Sequence, residues 1–433
     1  MQTQVLPGFR DFYPAETAFR DHIFTAWRDV ARRYGFEEYD GPPLEPLDLY
    51  VKKSGAEIVG QLYAFEDKGG RQVALRPEMT PTLARMVAAR ANALKKPIRW
   101  FSMPQLMRYE RPQRGRLREH FQLNMDIIGE AGPLADAELI AAALDVMRAL
   151  GLSSKDVRVK VSDRRVVRAL LDVHDLDEDQ VAQAFQVIDK IDRDPREVLA
   201  ERFATATGAG TQVAERVLSV GDLKGMKAVL DALGETPSGR EAGEGLEKCT
   251  AALESMGLGE FVEVDLSIVR GLAYYTGIVF ELFDAGKSLR AICGGGRYDG
   301  LLASLGGPDL PAVGFGMGDV VLGELLKEHE AGPPDEGLLD AFLVAVTLEE
   351  MPAVLGLAHE LRDVGIRVEF GLKPQSIAKQ LKLAAARRAG KAVIIGPHER
   401  EAGQAVVRNM ATGEEERVAL DTLVDGYDWA LKG

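Results

Sequence analysis

The chain has 433 residues, a mass of 47.2 kDa and a formal charge of -14; at roughly 150 residues per domain, that is room for about three domains. A composition of 46% hydrophobic and 28% charged residues is that of a globular protein rather than a disordered or fibrous one. A pI near 5.1 excludes wholesale wrapping of nucleic acid but leaves a local basic site open. Two cysteines, Cys249 and Cys293, cannot make a disulfide framework, which points to a reducing compartment. The histidines (His22, His120, His174, His329, His359, His398) show no HxxxH or HxH pairing, so no metal site is expected. The opening MQTQVLPGFRDFYP lacks an apolar signal core, and no run of about 18 apolar residues occurs. The expectation is a soluble, cytoplasmic protein without a membrane span.

From about Ala15 to Tyr34, Phe19, Ile23, Trp27, Val30 and Ala31 recur at helical spacing, and Gly35 supplies the permissive backbone of a C-cap. Phe36 to Leu44, with Pro42 and Pro43, reads as an edge or interface segment. Gln72 to Leu75 reads as a strand and Pro77 to Leu94 as a helix. Apolar runs near Ile98 to Met103, Gln105 to Tyr109 and Phe121 to Ile128 predict antiparallel sheet, the last two joined by a long hairpin loop, ERPQRGRLRE. Leu134 to Leu150 reads as a helix and Val157 to Val161 as a strand. An acidic helical stretch from about Arg165 to Met256 is expected as an insertion. Strands are predicted at Glu263 to Ser267, Ile278 to Phe283 and Leu289 to Cys293, followed by a glycine-rich turn, GGGRYDGLL, and the stretch AVGFGMG.

EHEAGPPDEG, Glu328 to Gly337, reads as a linker. Beyond it, AFLVAV, Arg367 to Phe370 and Ala392 to Ile395 read as strands alternating with helices at Met351 to Val364 and Ser376 to Ala389. Ala405 to Arg408 and Glu416 to Val418 add short strands. This pattern predicts a small α/β domain with mostly parallel connections.

Arg108, Arg111, Arg114, Arg116 and Arg118 place five arginines within eleven residues. Such a run is most often a solvated loop, but Pro112, Gly115 and the flanking strands give this loop a shape. Arginine's planar fork suits phosphate, so the run points to a polyphosphate or RNA site. In VRGLAYYTG, Val269 to Gly277, Arg270 beside glycines and tyrosines has the chemistry to meet a carboxylate or phosphate. GGGRYDG and GFGMG are weak alone, being neither GxxxxGK[ST] nor GxGxxG.

Together these segments resemble the class II aminoacyl-tRNA synthetases, and specifically the histidyl-tRNA synthetase family, over nearly the whole chain. PGFRDFYP is similar to the family's opening segment, GPPLEPLDLY to motif 1, RPEMTPTLAR to the start of the amino-acid pocket and MRYERPQRGRLREHFQLNMDIIG to motif 2. VRGLAYYTGIVFE and CGGGRYDGLL resemble its two histidine-specific signatures, and IAKQLKLAAARRAGKAVIIG resembles part of its anticodon-binding domain. The resemblance implies an α+β catalytic domain built on a mixed, largely antiparallel sheet flanked by helices (1–327, interrupted by the helical insertion 165–256). A linker (328–337) and a C-terminal α/β anticodon-binding domain (338–433) would follow.

It also implies roles. Arg108 and Arg270 would contact the ATP α-phosphate and the histidine carboxylate and act in catalysis, with Arg116 toward the distal phosphates and His120 stacking on adenine. Glu78, Thr80 and Gln122 would hold the α-amino group, and Asp126, Tyr275 and Tyr298 would read the imidazole beside Tyr274. A carboxylate suits that ring because it only accepts hydrogen bonds. Magnesium would come with ATP. Arg111 and Gln113 would meet the 5′ end of the histidine tRNA, and Lys379 and Lys382 its anticodon stem; motif 1 implies a homodimer. Two positions depart from the pattern: Val321 stands where motif 3 carries an arginine, and Ala273 where an aspartate is common. The expected activity is ATP-dependent activation of L-histidine and its transfer to tRNA. The alternative is a non-catalytic, histidine-sensing regulatory subunit of ATP phosphoribosyltransferase, favoured by Val321 but opposed by Arg108, Arg116, Arg270 and the C-terminal domain. A nucleotide-binding protein of other use is the third reading.

Overall fold

A computed structural model describes residues 4–51, 60–234, 237–270, 274–286, 289–333 and 339–429. Ala273 and residues 334–337 of the expected linker lie outside the described residues. The chain divides into two compact units, Met1–Pro333 and Pro334–Gly433.

In the first unit, the helix Pro14–Arg33 buries Ile23, Trp27, Val30 and Ala31 on one stripe and ends where Gly35 takes φ +75°, a conformation that disfavours a Cβ. In chain order the strands are β1 (Glu37–Glu38), β2 (Leu44–Pro46), β3 (Ala64–Glu66), β4 (Gln72–Leu75), β5 (Ile98–Ser102), β6 (Gln105–Met107), β7 (Glu119–Ile128), β8 (Val157–Asp163), β9 (Val262–Val264), β10 (Ile278–Asp284), β11 (Cys293–Arg297) and β12 (Ala312–Gly318). The main sheet runs β1-β5-β7-β12-β11-β10-β8-β9, with β6 paired to β7; only the outer pairs β1–β5 and β8–β9 are parallel. A separate small sheet joins β2, β4 and β3.

The predicted helix after β4 is shorter than its apolar pattern, Thr80–Arg90, because Pro77 to Met79 before it run in irregular backbone and the residues after Arg90 form turns. Glycine composition misplaces one strand. Leu289 to Cys293 reads as the strand and GGGR as a turn, whereas Cys293–Arg297 is the strand, paired on both sides by β10 and β12. Pairing on both edges offsets the low strand propensity of glycine.

Alternation along the central strands sends Leu123, Met125 and Ile127 of β7, with Phe315 and Met317 of β12, to one face. That face is covered by the helix Pro133–Ala149, whose alanines permit close packing. Between Arg164 and Ser255 the described residues form six helices. Their apolar residues, among them Val166, Phe203, Leu246 and Cys249, belong to the same buried cluster as the sheet, so the helical segment shares the main core.

Buried ions tie the segments of this unit together. Arg10 binds Glu119 of β7 at 2.7 Å and Asp319, which begins the helix Asp319–Glu328, at 2.9 Å. The other Asp319 oxygen accepts from Phe121 N at 2.8 Å. Arg297 at the end of β11 binds Asp136 at 2.5 Å and donates to the carbonyls of Glu130 and Gly132, fastening the sheet to its covering helix.

The second unit is a five-stranded sheet, β14-β13-β15-β16-β17, from β13 (Leu339–Ala345), β14 (Val368–Phe370), β15 (Ala389–Ile395), β16 (Gln404–Asn409) and β17 (Glu415–Ala419). β13 pairs in parallel with β14 and β15, but β15–β16 and β16–β17 are antiparallel. The sheet is therefore evenly mixed: the six-residue helix Pro397–Ala402 and then a short turn join its last strands, both too short for a parallel crossover.

Replacing Arg10 by Met should destabilise the first unit strongly. Glu119 and Asp319, 1% and 3% exposed, would keep buried charge without a partner, a loss of about 3–5 kcal/mol. Removing Arg28 from its surface pair with Glu38 should cost at most about 1 kcal/mol. Urea midpoints of the two variants measure the difference; equal shifts would refute it.

Candidate active site

The uncovered face of the main sheet is built from polar side chains alternating with glycines. Registers place Asn124, Gly316, Gly294, Glu281 and Lys160 in one row across β7, β12, β11, β10 and β8, with Asp126, Gly314, Gly296, Val279 and Ser162 in the next. Directly paired residues point to the same face, so the glycines leave floor space beside the polar groups. A Cβ on Gly294 would stand 2.6 Å from Arg270 Cζ, one on Gly314 2.9 Å from Asp126 Cγ, and one on Gly316 2.7 Å from the Gln122 amide.

A cavity of about 1120 Å³ opens over this floor. It brings together Glu78, Thr80, Arg108, Arg116, His120, Gln122, Asp126, Arg270, Tyr274, Tyr275 and Tyr298, which are separated by up to 220 positions in the sequence. Val321 also lines it, and Val321 Cγ2 would stand 3.4 Å from a Cβ on Gly115.

Asp126 is 5% exposed and accepts a hydrogen bond from the Tyr298 hydroxyl. Burial pushes its carboxyl from 3.8 up to about 7 despite that bond. Arg270 adopts φ +59°, a left-handed conformation costly for a residue with a side chain. Arg164 holds it there, donating to Val269 O at 2.6 Å and Arg270 O at 3.1 Å. The Arg270 guanidinium donates to Glu281 and lies 5.8 Å from the centre of the Tyr275 ring. Arg108 Nε donates to Pro77 O at 2.9 Å. His120 is neutral near pH 7, since burial, then the charges of Arg108 and Arg10, push its imidazole down to about 3. A neutral planar ring on the wall suits stacking better than a cation would.

The arginine-rich loop divides by role. Gln113 and Arg116 exchange backbone hydrogen bonds of 3.0 and 2.9 Å around Gly115 at φ +73°, closing a tight tip. Arg116 turns inward and binds Glu110 at 2.6 Å. Arg114 pairs with Glu328 and approaches Glu324, pinning the loop to the helix Asp319–Glu328. Arg118 lies 4.2 Å over the Tyr109 ring. Arg111 and Gln113 stay exposed and do not line the cavity.

Lys379 and Lys382 belong to the second unit, exposed on the helix Ile377–Ala386 one turn apart. Two neighbouring cations are not part of that face: Arg387 approaches Glu369 at 3.3 Å, and Lys391 is buried, donating to Asp428 O at 2.5 Å beside Tyr427.

Sequence reading missed Glu281, which holds Arg270, Asn124 and Lys160 in the floor, and the glycines as floor positions. The period-two glycines in GFGMG were the available signal.

The folded chain is a class II synthetase catalytic domain joined to an α/β anticodon-binding domain. A family model described as histidyl-tRNA synthetase matches residues 8–318, and one described as anticodon binding domain matches residues 340–427. The chain is 46% identical to a histidine–tRNA ligase of Opitutus terrae, over 96% of this chain and 95% of that protein. It is 41% identical to a chloroplastic/mitochondrial histidine–tRNA ligase of Arabidopsis thaliana, over 96% and 85%. A crystal structure of histidyl-tRNA synthetase from Nostoc sp. superposes with a TM-score of 0.83 at 24% identity, covering 98% of this chain and 99% of that one. The chain belongs to the histidyl-tRNA synthetase family.

The Asp126 carboxyl yields a pH prediction. Its folded value lies above 3.8, so the stability it contributes is present at low pH and is lost as pH rises from about 4 through about 7, levelling above. The melting temperature of the protein relative to Asp126→Asn should therefore fall across that window. A difference independent of pH would place Asp126 in a solvated setting.

Proposed function

We propose that the protein activates L-histidine with ATP and transfers it to the histidine tRNA. The observation that carries this reading is the division of one cavity between carboxylates suited to an amino group and an imidazole, Glu78 and Asp126, and arginines suited to carboxylate and phosphate, Arg108 and Arg270. The names of the relatives agree with it.

In the proposed reaction, a histidine carboxylate oxygen attacks the α-phosphorus of ATP, the bond to the β-phosphate oxygen breaks, and pyrophosphate leaves. The terminal ribose of tRNA then displaces AMP. Arg108 and Arg270 face the charge that builds on the α-phosphate, and Glu281 keeps Arg270 aimed, so the protein works by electrostatic stabilisation. Glu78, Thr80 and Gln122 hold the amino group, and Asp126, Tyr275 and Tyr298, beside Tyr274, the ring. Against the bound imidazole, Asp126 works as the acceptor. His120 stacks on adenine, and Arg116 reaches the distal phosphates.

Magnesium would come bound to the phosphates of ATP, where it would neutralise their charge. Two cavity carboxylates, Glu110 and Glu281, are engaged by Arg116 and Arg270, and among the described residues no group of three or more His, Cys, Asp or Glu forms a metal site.

For tRNA, Arg111 and Gln113 at the loop tip are the proposed readers of the 5′ end and Lys379 with Lys382 the contact to the anticodon stem; their exposure supports this. A homodimer is part of the proposal, supported by exposed Leu44 and Phe65 on the small sheet that carries motif 1. So is a cytoplasmic site of action, supported by two free thiols. Among the described residues no helix is long and apolar enough to cross a membrane. The regulatory-subunit reading loses ground because residues 340–427 match an anticodon binding domain.

Histidine-dependent exchange of pyrophosphate into ATP, without tRNA, is the test. The protein should catalyse it, and Asp126→Asn should raise the KM for histidine by roughly tenfold or more, the cost of a misdirected buried hydrogen bond, with the KM for ATP little changed. No exchange by the folded protein would refute the reading. Charge reversal of Lys379 and Lys382 should leave exchange intact while weakening tRNA charging and making it less sensitive to salt.

A further inference from the structure

Most charges on the cavity wall are matched. Arg116 binds Glu110, Arg270 binds Glu281, and Lys160 binds Asp192 at 3.1 Å and Asp265 at 2.6 Å. Among the described residues three lining arginines make no ion pair. Arg108 is anchored on Pro77 O; the other two are Arg193 and Arg290. They arrive from different places: Arg290 from the connection between β10 and β11, and Arg193 from the turn between the helices Glu178–Ile188 and Arg196–Thr207. Lys160 on β8, four strands across the sheet from Asp126 on β7, grips Asp192 and so fixes the residue before Arg193 over the cavity.

Arg290 lies within electrostatic reach of both Arg116 and Arg193. Burial lowers its pKa, the two like charges lower it further, and Glu110, already bound by Arg116, only partly offsets them. Asp189 shields Arg193 in part. Three guanidinium groups from three separate segments thus converge on one wall, an arrangement that raises the energy of the chain alone and is relieved by an anion. Val321, on the same cavity, is apolar and supplies none of this charge.

We propose that Arg193 and Arg290, together with Arg116, form the binding site for the β- and γ-phosphates of the nucleotide. A compact triphosphate concentrates its charge at one end, matching three converging cations better than the singly charged, spaced phosphates of an RNA strand do. Arg193 and Arg290 are specificity residues for the triphosphate end, and the segment between the helices becomes a third wall of the nucleotide site beside the arginine-rich loop and the sheet.

The inference rests on the proposed activation of histidine by ATP, and binding measurements separate the two. Titration calorimetry of the full chain with Mg-ATP and with AMP, without tRNA, compares the protein with Arg290→Ala, Arg193→Ala and Arg290→Lys. Each alanine variant should weaken Mg-ATP by about tenfold or more while AMP changes by less than about twofold, because AMP lacks the phosphates concerned. Arg290→Lys should recover part of the loss. Equal weakening of ATP and AMP would show a packing role and overturn the proposal. Unchanged ATP affinity with impaired tRNA charging would assign the cluster to RNA and also overturn it. If ATP and AMP diverge as expected but no histidine-dependent exchange occurs, the polyphosphate site stands and the reaction assigned above does not.

Discussion

The arrangement of the site depends on missing side chains. Gly294, Gly314 and Gly316 sit in the middle of a sheet, where glycine weakens a strand, yet each stands beside a polar group that a Cβ would displace: Arg270, Asp126 and Gln122. The cost is carried by ladder bonds on both edges and by the apolar opposite face under the helix Pro133–Ala149. Glycine positions between the polar side chains of the floor are what let Arg270 and its neighbours lie against the sheet rather than stand off it.

On that floor, burial does the electrostatic sorting. The buried Asp126 carboxyl, accepting from Tyr298, moves up to about 7, while His120, buried beside Arg108 and Arg10, moves down to about 3. The downward shift leaves a neutral ring toward the arginines, and the upward shift leaves Asp126 divided between acid and carboxylate near neutral pH, so that a ligand's N–H groups favour its accepting, ionised form. The network of Arg10 with Glu119 and Asp319 holds the segments carrying these residues together, so rigidity and chemistry share the same strands.

Much of this was legible in the sequence, and for identifiable reasons. The helix Pro14–Arg33 and the strands β5 and β7 announce themselves through period, and the polar cavity residues through motifs whose types suit phosphate, carboxylate and imidazole. What period and motif miss are relations set by tertiary register. GGGR reads as a turn until β10 and β12 pair with it. Glu281 looks like an ordinary strand residue until Arg270, eleven positions earlier, folds back onto it. Lys391 looks like one more cation in a basic run, but its stem and head pack against Tyr427 and the Asp428 carbonyl. Arg193 and Arg290, 97 positions apart, carry no local signal at all.

The floor itself is testable by adding one methyl group at a time. In pyrophosphate exchange, Gly314→Ala should raise the KM for histidine by pushing Asp126 off Tyr298, whereas Gly294→Ala should lower kcat by displacing Arg270 from Glu281. Each variant should keep the other parameter near that of the unaltered protein. If instead both variants lose both parameters together in step with a lower melting temperature, or lose neither, the glycines do not shape the site.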